Sequence, residues 1–183
     1  RPWDLASKVA SVDRLSDGRV TLGVGLGALH GNWLAFEADE GRAVRARKLD
    51  EVLDVYAGLM GGQPFSYAGE HFSASPVTEL VPPPPVQTPH PPVWCVGLLV
   101  PGRSRQRSLE RAARWQGVFP AVAGGSLENP GSRLTPSSLR ELVEHITALR
   151  AEAGQPMEDY DVVVEGDSHG SFGTVRPPVE QWV

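Results

Sequence analysis

An α/β fold with parallel strands is what this sequence predicts, and three observations predict it. Helix-like and strand-like patterns alternate along the 183 residues instead of clustering by type. The strand-like runs, "RVTLGVG", "PVWCVG", "GVFPA" and "DYDVVVEG", are apolar on both faces, as strands covered by helices are. Glycine, proline and small polar residues punctuate nearly every boundary between them.

The elements follow in order. Residues 2–16 carry Leu5, Val9, Val12 and Leu15 at helical spacing, and Gly18 then breaks the pattern. A strand is expected from Arg19 to Gly25, followed by an irregular, glycine-bounded loop, "ALHGNWLAFEADEG". The next segment, from Arg42, is a strong amphipathic helix with Leu49, Val52, Leu53, Tyr56, Leu59 and Met60 on one stripe. Gly61 supplies its C-cap signal. Residues 63–91 interrupt the alternation: Phe65, Tyr67 and Phe72 flank Ala68-Gly69, which reads as a short β excursion or hairpin. The run Pro82 to Pro85 excludes helix and central strand and predicts a stiff, extended connector.

Alternation then resumes. A strand is predicted over Val93–Val96, a helix over Ser104–Trp115 and a strand over Gly117–Ala121. Thr135-Pro136 opens another helix with an N-cap and a proline at its first position, and Gly154 stops it. Its stripe is Leu139, Leu142, Val143, Ile146 and Leu149. The run "DYDVVVEG" gives one more buried strand, and "SFGTVRPPVEQWV" opens a further loop and helix. Beginning on a helix and stopping inside a new unit, the pattern reads as part of a longer βα series.

Composition narrows the function classes. A hydrophobic content of 40% with 21% charged residues is ordinary for a globular domain. The net charge of −5 argues against a nucleic-acid partner, since the arginines of "PGRSRQRSLERAARW" read as a solvated helix face. No run is long and apolar enough to span a bilayer, so no membrane partner is expected. Cys95 is the single cysteine; its strand-like neighbours make it a structural thiol, and a reducing, cytoplasmic setting follows most simply. No His, Cys, Asp or Glu spacing supports a metal site, and no Ser/His/Asp arrangement is present.

The glycines of "GRVTLGVGLG" raise a cofactor question. Gly23, Gly25 and Ala28 fit a loose dinucleotide-binding pattern. Such a turn needs a helix opening at once and an acidic residue ending the next strand. The next helix begins only near Arg42, and Asp50 lies inside it, so both requirements fail. A (β/α)8 barrel is the other home for such a strand end. There the C-terminal ends of the strands carry the chemistry, and glycine lets backbone approach a planar ligand.

Four segments in order carry a family resemblance: "LASKVASVDRLSDGRVTLGVGLG", "RARKLDEVLDVYAGLMGGQPFSYAGEHF", "PVQTPHPPVWCVG" and "SLERAARWQGVFPA". Together they resemble the bacterial-luciferase-like monooxygenases, which are flavin- or deazaflavin-dependent (β/α)8 barrels. The resemblance implies one partial barrel domain over 1–183, roughly strands four to seven with their helices. It also implies FMN or coenzyme F420 as cofactor and a small organic substrate, with a homo-oligomer left open. Carried onto this chain, Gly25, Leu26 and Gly27 would face the cofactor ring or its side chain. Val96, Gly97 and Leu98, on a loop after the next strand, would offer amides near its phosphate. Here "VGLLVPGRSR" departs from the family's paired glycines, leaving Arg103 and Ser104 to supply charge and hydroxyl; Ser104 is equally a plain N-cap. His30, Trp33 and Glu165 are the substrate-side candidates, against plainer readings as an exposed loop histidine, a hydrophobic cap and an ion-pairing acid. The family's catalytic residues sit largely on its first three strands, so no catalytic residue is assigned. The resemblance thus implies a flavin- or deazaflavin-dependent oxidoreductase or monooxygenase. The alternative is a non-catalytic truncated barrel, or a subunit that needs a partner to complete it.

Overall fold

The helix predicted over residues 2–16 forms as α1, Pro2–Leu15. The computed structural model describes residues 1–27, 38–62, 64–78, 83–123 and 134–165. They belong to two compact units, Arg1–Pro92 and a second beginning at Val93.

In the first unit, the buried face of α1 is Pro2, Ala6, Val9, Ala10 and Asp13. That face is offset from the predicted stripe: Val12 is 51% and Leu15 86% exposed. The reason is Asp13. Its carboxylate accepts hydrogen bonds from Val86 N (2.7 Å), Gln87 N (3.1 Å) and Gln87 Nε2 (2.8 Å), so a charge can be buried where an apolar residue was expected. Gln87 Nε2 also donates to the Val20 carbonyl at 2.7 Å, tying the connector to the chain entering β1. The helix ends in a Schellman motif: Asp17 N–H donates to Arg14 O and Gly18 N–H to Asp13 O, with Asp17 at φ 54°. Aspartate is one of the few non-glycine residues that accept this left-handed conformation readily.

Strand β1 is short, Leu22–Val24. Helix α2, Arg42–Met60, buries Leu53, Val55, Tyr56, Leu59 and Met60, close to the predicted stripe. Strands β2, Phe65–Ala68, and β3, Ser73–Val77, pair antiparallel, giving the predicted hairpin. Phe65 packs on Gly58 of α2 so closely that no side chain would fit there. Glu51 of α2 holds the hairpin turn by accepting from the N–H groups of Glu70, His71 and Phe72 at 2.8–3.2 Å. Among the described prolines of the connector, residues 83–85 lie outside any helix or strand. Tyr56 Oη donates to the Pro91 carbonyl, and His90 meets the Tyr56 ring edge-on at 5.5 Å.

The second unit runs β4 (Val93–Leu99), α3 (Arg107–Ala113), β5 (Gly117–Val122), α4 (Pro136–Glu152) and β6 (Asp161–Val162). Strand β5 pairs in parallel with both β4 and β6, so it is flanked on both sides. Each parallel step needs a crossover, and the two helices supply them. Val93, Cys95, Leu99, Leu109, Ala112, Val118, Leu139, Leu142 and Ile146 form the core of this unit. Cys95 is buried, as its neighbours predicted.

Helix α4 matches its sequence signals closely. Thr135 and Ser138 form a reciprocal capping box with Pro136 at N1. At the other end Gly154 N–H donates to Ala151 O and Gln155 N–H to Arg150 O, with Gly154 at φ 67°. Several boundaries differ from expectation: β1 and β6 are shorter than the runs that predicted them, and two differences bear on the site. Strand β4 runs three residues beyond Val96, because "GLL" continues its apolar alternation. Helix α3 starts at Arg107 and not at Ser104, because Pro101-Gly102 first makes a turn.

Candidate functional site

In parallel α/β sheets, ligands gather beyond the carboxyl ends of the strands. In the first unit that position follows β1. Gly25 and Gly27 are exposed and Leu26 is half-buried between them. Gly27 has φ 73°, and a Cβ placed there would meet nothing within 4 Å among the described residues. The chain therefore turns by a conformation that favours glycine. His30 and Trp33 lie outside the described residues.

In the second unit, alternation along β4 sorts its side chains. Cys95, Gly97 and Leu99 are buried; a Cβ on Gly97 would strike Leu109 of α3 at 2.9 Å and Val118 at 2.5 Å. Trp94, Val96 and Leu98 take the opposite face. Register places Val96 beside Phe119 and Leu98 beside Ala121. Trp94 meets Phe119 edge-on at 5.5 Å, and its indole N–H donates to Asp161 Oδ2 at 2.9 Å. Val96 remains 43% exposed. This face is apolar, partly aromatic and only half-covered by the described residues.

Val96, Gly97 and Leu98 thus lie within β4, not on a loop after it. Gly97 is packed against α3, and the Leu98 N–H is taken by Ser108 Oγ at 3.1 Å. The loop itself is residues 100–106. Arg103 N–H donates to the Val100 carbonyl at 3.1 Å, closing a β-turn with Pro101 and Gly102 in the middle. Gly102 at φ 75° and proline before it are the residues a type II turn demands. Arg103 and Ser104 are both exposed on this loop. Ser104 is not the N-cap of α3; Gln106 holds that position, with no side-chain cap bond. Arg105 is occupied with Glu110 at 3.3 Å.

Glu165 lies past β6 and is exposed; Val163 N–H still donates to the Val118 carbonyl, so parallel pairing carries on to within two residues of it. Two residues that the sequence reading passed over do the most to shape the loop. Gln106 accepts from Val100 N–H at 2.7 Å, and Ser108 Oγ both accepts from Leu98 N–H and donates to Leu98 O. Their signal was faint: two neutral polar residues within an arginine-rich run, read together with it as the opening of a helix.

Taken separately, the first unit offers bare glycine backbone at a strand end, and the second offers an apolar strand face and an exposed guanidinium, groups that suit an apolar ring and an anion respectively. Among the described residues, no cluster of His, Cys, Asp and Glu has metal-ligand grouping. No helix among them is long and apolar enough to cross a membrane.

Comparison with known proteins agrees with this geometry. The luciferase-like monooxygenase family model matches residues 1–169. Uncharacterized proteins of Mycobacterium tuberculosis and Mycobacterium bovis are 30% identical over 169 residues, 91% of this chain and 51% of theirs. The chain therefore spans about half the length of the curated relatives it matches. Among solved structures, a monooxygenase of Streptomyces bottropensis aligns with TM-score 0.67 and 25% identity, covering 90% of this chain and 45% of that one. An F420-dependent secondary alcohol dehydrogenase, solved with an F420-acetone adduct, aligns at TM-score 0.68 and 16% identity, covering 90% and 44%. The oxygenating constituent of 3,6-diketocamphane monooxygenase from Pseudomonas putida, in complex with FMN, gives 0.63 and 17%, covering 88% and 43%. The architecture is α/β, that of part of a (β/α)8 barrel. From the match over residues 1–169, the chain belongs to the luciferase-like monooxygenase family.

Proposed function

We propose that this chain takes part in flavin- or deazaflavin-dependent oxidation of a small organic substrate, as a hydride-transfer oxidoreductase or a monooxygenase. The observation that carries the reading is family membership over residues 1–169, on a chain whose strand ends offer glycine backbone and apolar surface. Its structural neighbours include proteins solved with FMN and with an F420 adduct, so FMN or coenzyme F420 is the cofactor proposed.

When bound, such a group supplies the redox chemistry, and the protein supplies binding, orientation and control of water. Gly25, Leu26 and Gly27 would lie along the ring or its side chain, where no Cβ intrudes. Val96 and Leu98 present the apolar face of β4 to it. Arg103, with Ser104 beside it, would meet the phosphate as a charged donor. His30, Trp33 and Glu165 are proposed for the substrate side, where a histidine would hold or deliver a proton. All of this belongs to a single partial barrel domain over 1–183.

A second reading is favoured by the chain's spanning about half the length of its relatives. In it, the chain works only with a partner that completes the barrel, or is a non-catalytic remnant. A titration with FMN and, separately, with coenzyme F420 distinguishes the two. A saturable change in flavin absorbance or fluorescence at micromolar concentration supports the first reading. Absence of any change with both ligands removes it for this chain and leaves the second.

A further inference from the structure

The carboxyl end of β4 turns its backbone groups in two directions. Gln116 N–H donates to the Val93 carbonyl at 3.1 Å and Ala123 N–H to the Leu99 carbonyl at 2.8 Å, so the odd-numbered residues bond toward β5. The strand pleat sends the groups of Leu98 and Val100 the other way. Side chains of the following segment meet them there. Ser108 Oγ accepts from Leu98 N–H and donates to Leu98 O, both at 3.1 Å. Gln106 Oε1 accepts from Val100 N–H at 2.7 Å.

Gln106 is 5% exposed and grips two elements at once. Its side chain holds the end of β4. Its carbonyl accepts from Leu109 and Glu110 N–H, both at 2.9 Å, and so begins α3. The turn Val100–Arg103 is suspended between those two attachments. Both caps are neutral, so they order the turn without placing a carboxylate next to Arg103. A negative cap would weaken any anion that Arg103 meets.

We propose that Gln106, assisted by Ser108, is a positioning residue that fixes the Val100–Arg103 turn for the phosphate of a bound flavin-type cofactor. The proposal rests on the flavin reading above and adds the residues that set its preference for the phosphorylated form. A cap that served only stability would change the melting temperature and weaken every ligand alike. A positioning residue changes the discrimination between FMN and riboflavin, which differ by the phosphate.

The test uses the full chain as wild type, Gln106→Leu, which keeps size but loses the acceptor, and Gln106→Glu, which keeps an acceptor oxygen. The loop carries its own probe, since trypsin cleaves after Arg103 and Arg105. Without ligand, Gln106→Leu is expected to be cut there about tenfold faster than wild type, and Gln106→Glu at nearly the wild-type rate. With ligand, the ratio of FMN to riboflavin affinity is expected to fall about tenfold in Gln106→Leu. Unchanged cleavage overturns the proposal. So does an unchanged affinity ratio in a variant of a wild type that prefers FMN, while leaving the flavin reading intact. A wild type that binds FMN and riboflavin equally well removes the phosphate reading and this proposal together. Should Gln106→Leu fail to fold, Ser108→Ala carries the same two readouts.

Discussion

The two ends of the parallel sheet in the second unit are built by opposite means. At the end where the strands begin, Arg150 of α4 binds three carbonyl groups from two separate segments. Its Nη1 donates to Ala113 O at 2.8 Å and Trp115 O at 3.0 Å, and Nε and Nη2 donate to Pro156 O at 3.0 and 2.6 Å. The guanidinium also stacks 4.5 Å above the Tyr160 ring, whose hydroxyl donates to Ala112 O. At the end where the strands finish, neutral side chains cap the backbone groups of Leu98 and Val100, Arg105 pairs with Glu110, and Arg103 and Glu165 stay exposed. One end uses charge to hold the chain together. The other leaves Arg103 and Glu165 exposed, in keeping with a (β/α)8 barrel, whose stabilising face and ligand face lie at opposite ends of the strands.

The first unit repeats the stabilising arrangement with the sign reversed. Asp13 and Glu51 are carboxylates that each gather amides from a distant segment. Burial alone would raise the pKa of Asp13, but the hydrogen bonds from Gln87 and Val86 outweigh it and hold the carboxyl below its usual value. Glu51 is lowered in the same way, burial being outweighed by the amides of His71, Phe72 and Glu70. At Tyr160, burial pushes the hydroxyl pKa up, with Arg150 opposing, so it remains a protonated donor.

These contrasts can be broken one at a time. Arg150→Ala should have the largest effect, about 3 kcal/mol of lost stability in urea unfolding, because several carbonyls lose a charged donor together. Arg150→Lys should recover less than half, since one ammonium cannot reproduce the fork. Neither variant should alter the FMN-to-riboflavin affinity ratio. A shift in that ratio would erase the distinction between the two ends.

Asp13→Ala should follow at about 2 kcal/mol, leaving the Gln87 amides without an acceptor. The pH dependence sharpens the assignment. A carboxyl whose folded pKa is depressed contributes fully above its unfolded value, near 3.8 for Asp and 4.5 for Glu. That contribution is lost as pH falls below those values toward the lower folded ones. Wild-type unfolding free energy should therefore fall steeply below that window, and less steeply in Asp13→Asn. Identical acid limbs in the two proteins would show that Asp13 is not the group responsible. Glu51→Ala should cost about 1 kcal/mol and loosen the β2–β3 hairpin locally, seen as faster amide exchange at residues 70–72. The smallest effect is expected at Leu15→Lys. Leu15 is 86% exposed, so stability should change by no more than about 0.5 kcal/mol.

Helices α4 and α1 show what the sequence could and could not convey. Helix α4 was legible from end to end because its caps are local: Thr135, Ser138 and Gly154 act within one turn of themselves. The buried face of α1 was not, because periodicity counts apolar residues and favours Leu15 over Asp13. Asp13 is burial-competent only through amides more than 70 residues away. The C-terminal end of β4 was hidden for a related reason. A Pro-Gly turn inside "GLLVPGRSRQRS" separates strand from helix, and the caps that shape it are side chains whose partners precede them in the chain. Alternation sufficed for the architecture; the site needed side-chain-to-backbone hydrogen bonds that reach back six to ten residues, which periodicity does not register.

Hydrogen–deuterium exchange of the full chain, with and without saturating FMN, separates the two ends of the sheet in one experiment. Slowed exchange is expected at residues 98–104 and 25–27, with no change at the Arg150 anchoring points around Ala113, Trp115 and Pro156. Protection at those anchoring points with none at the strand ends would contradict that expectation.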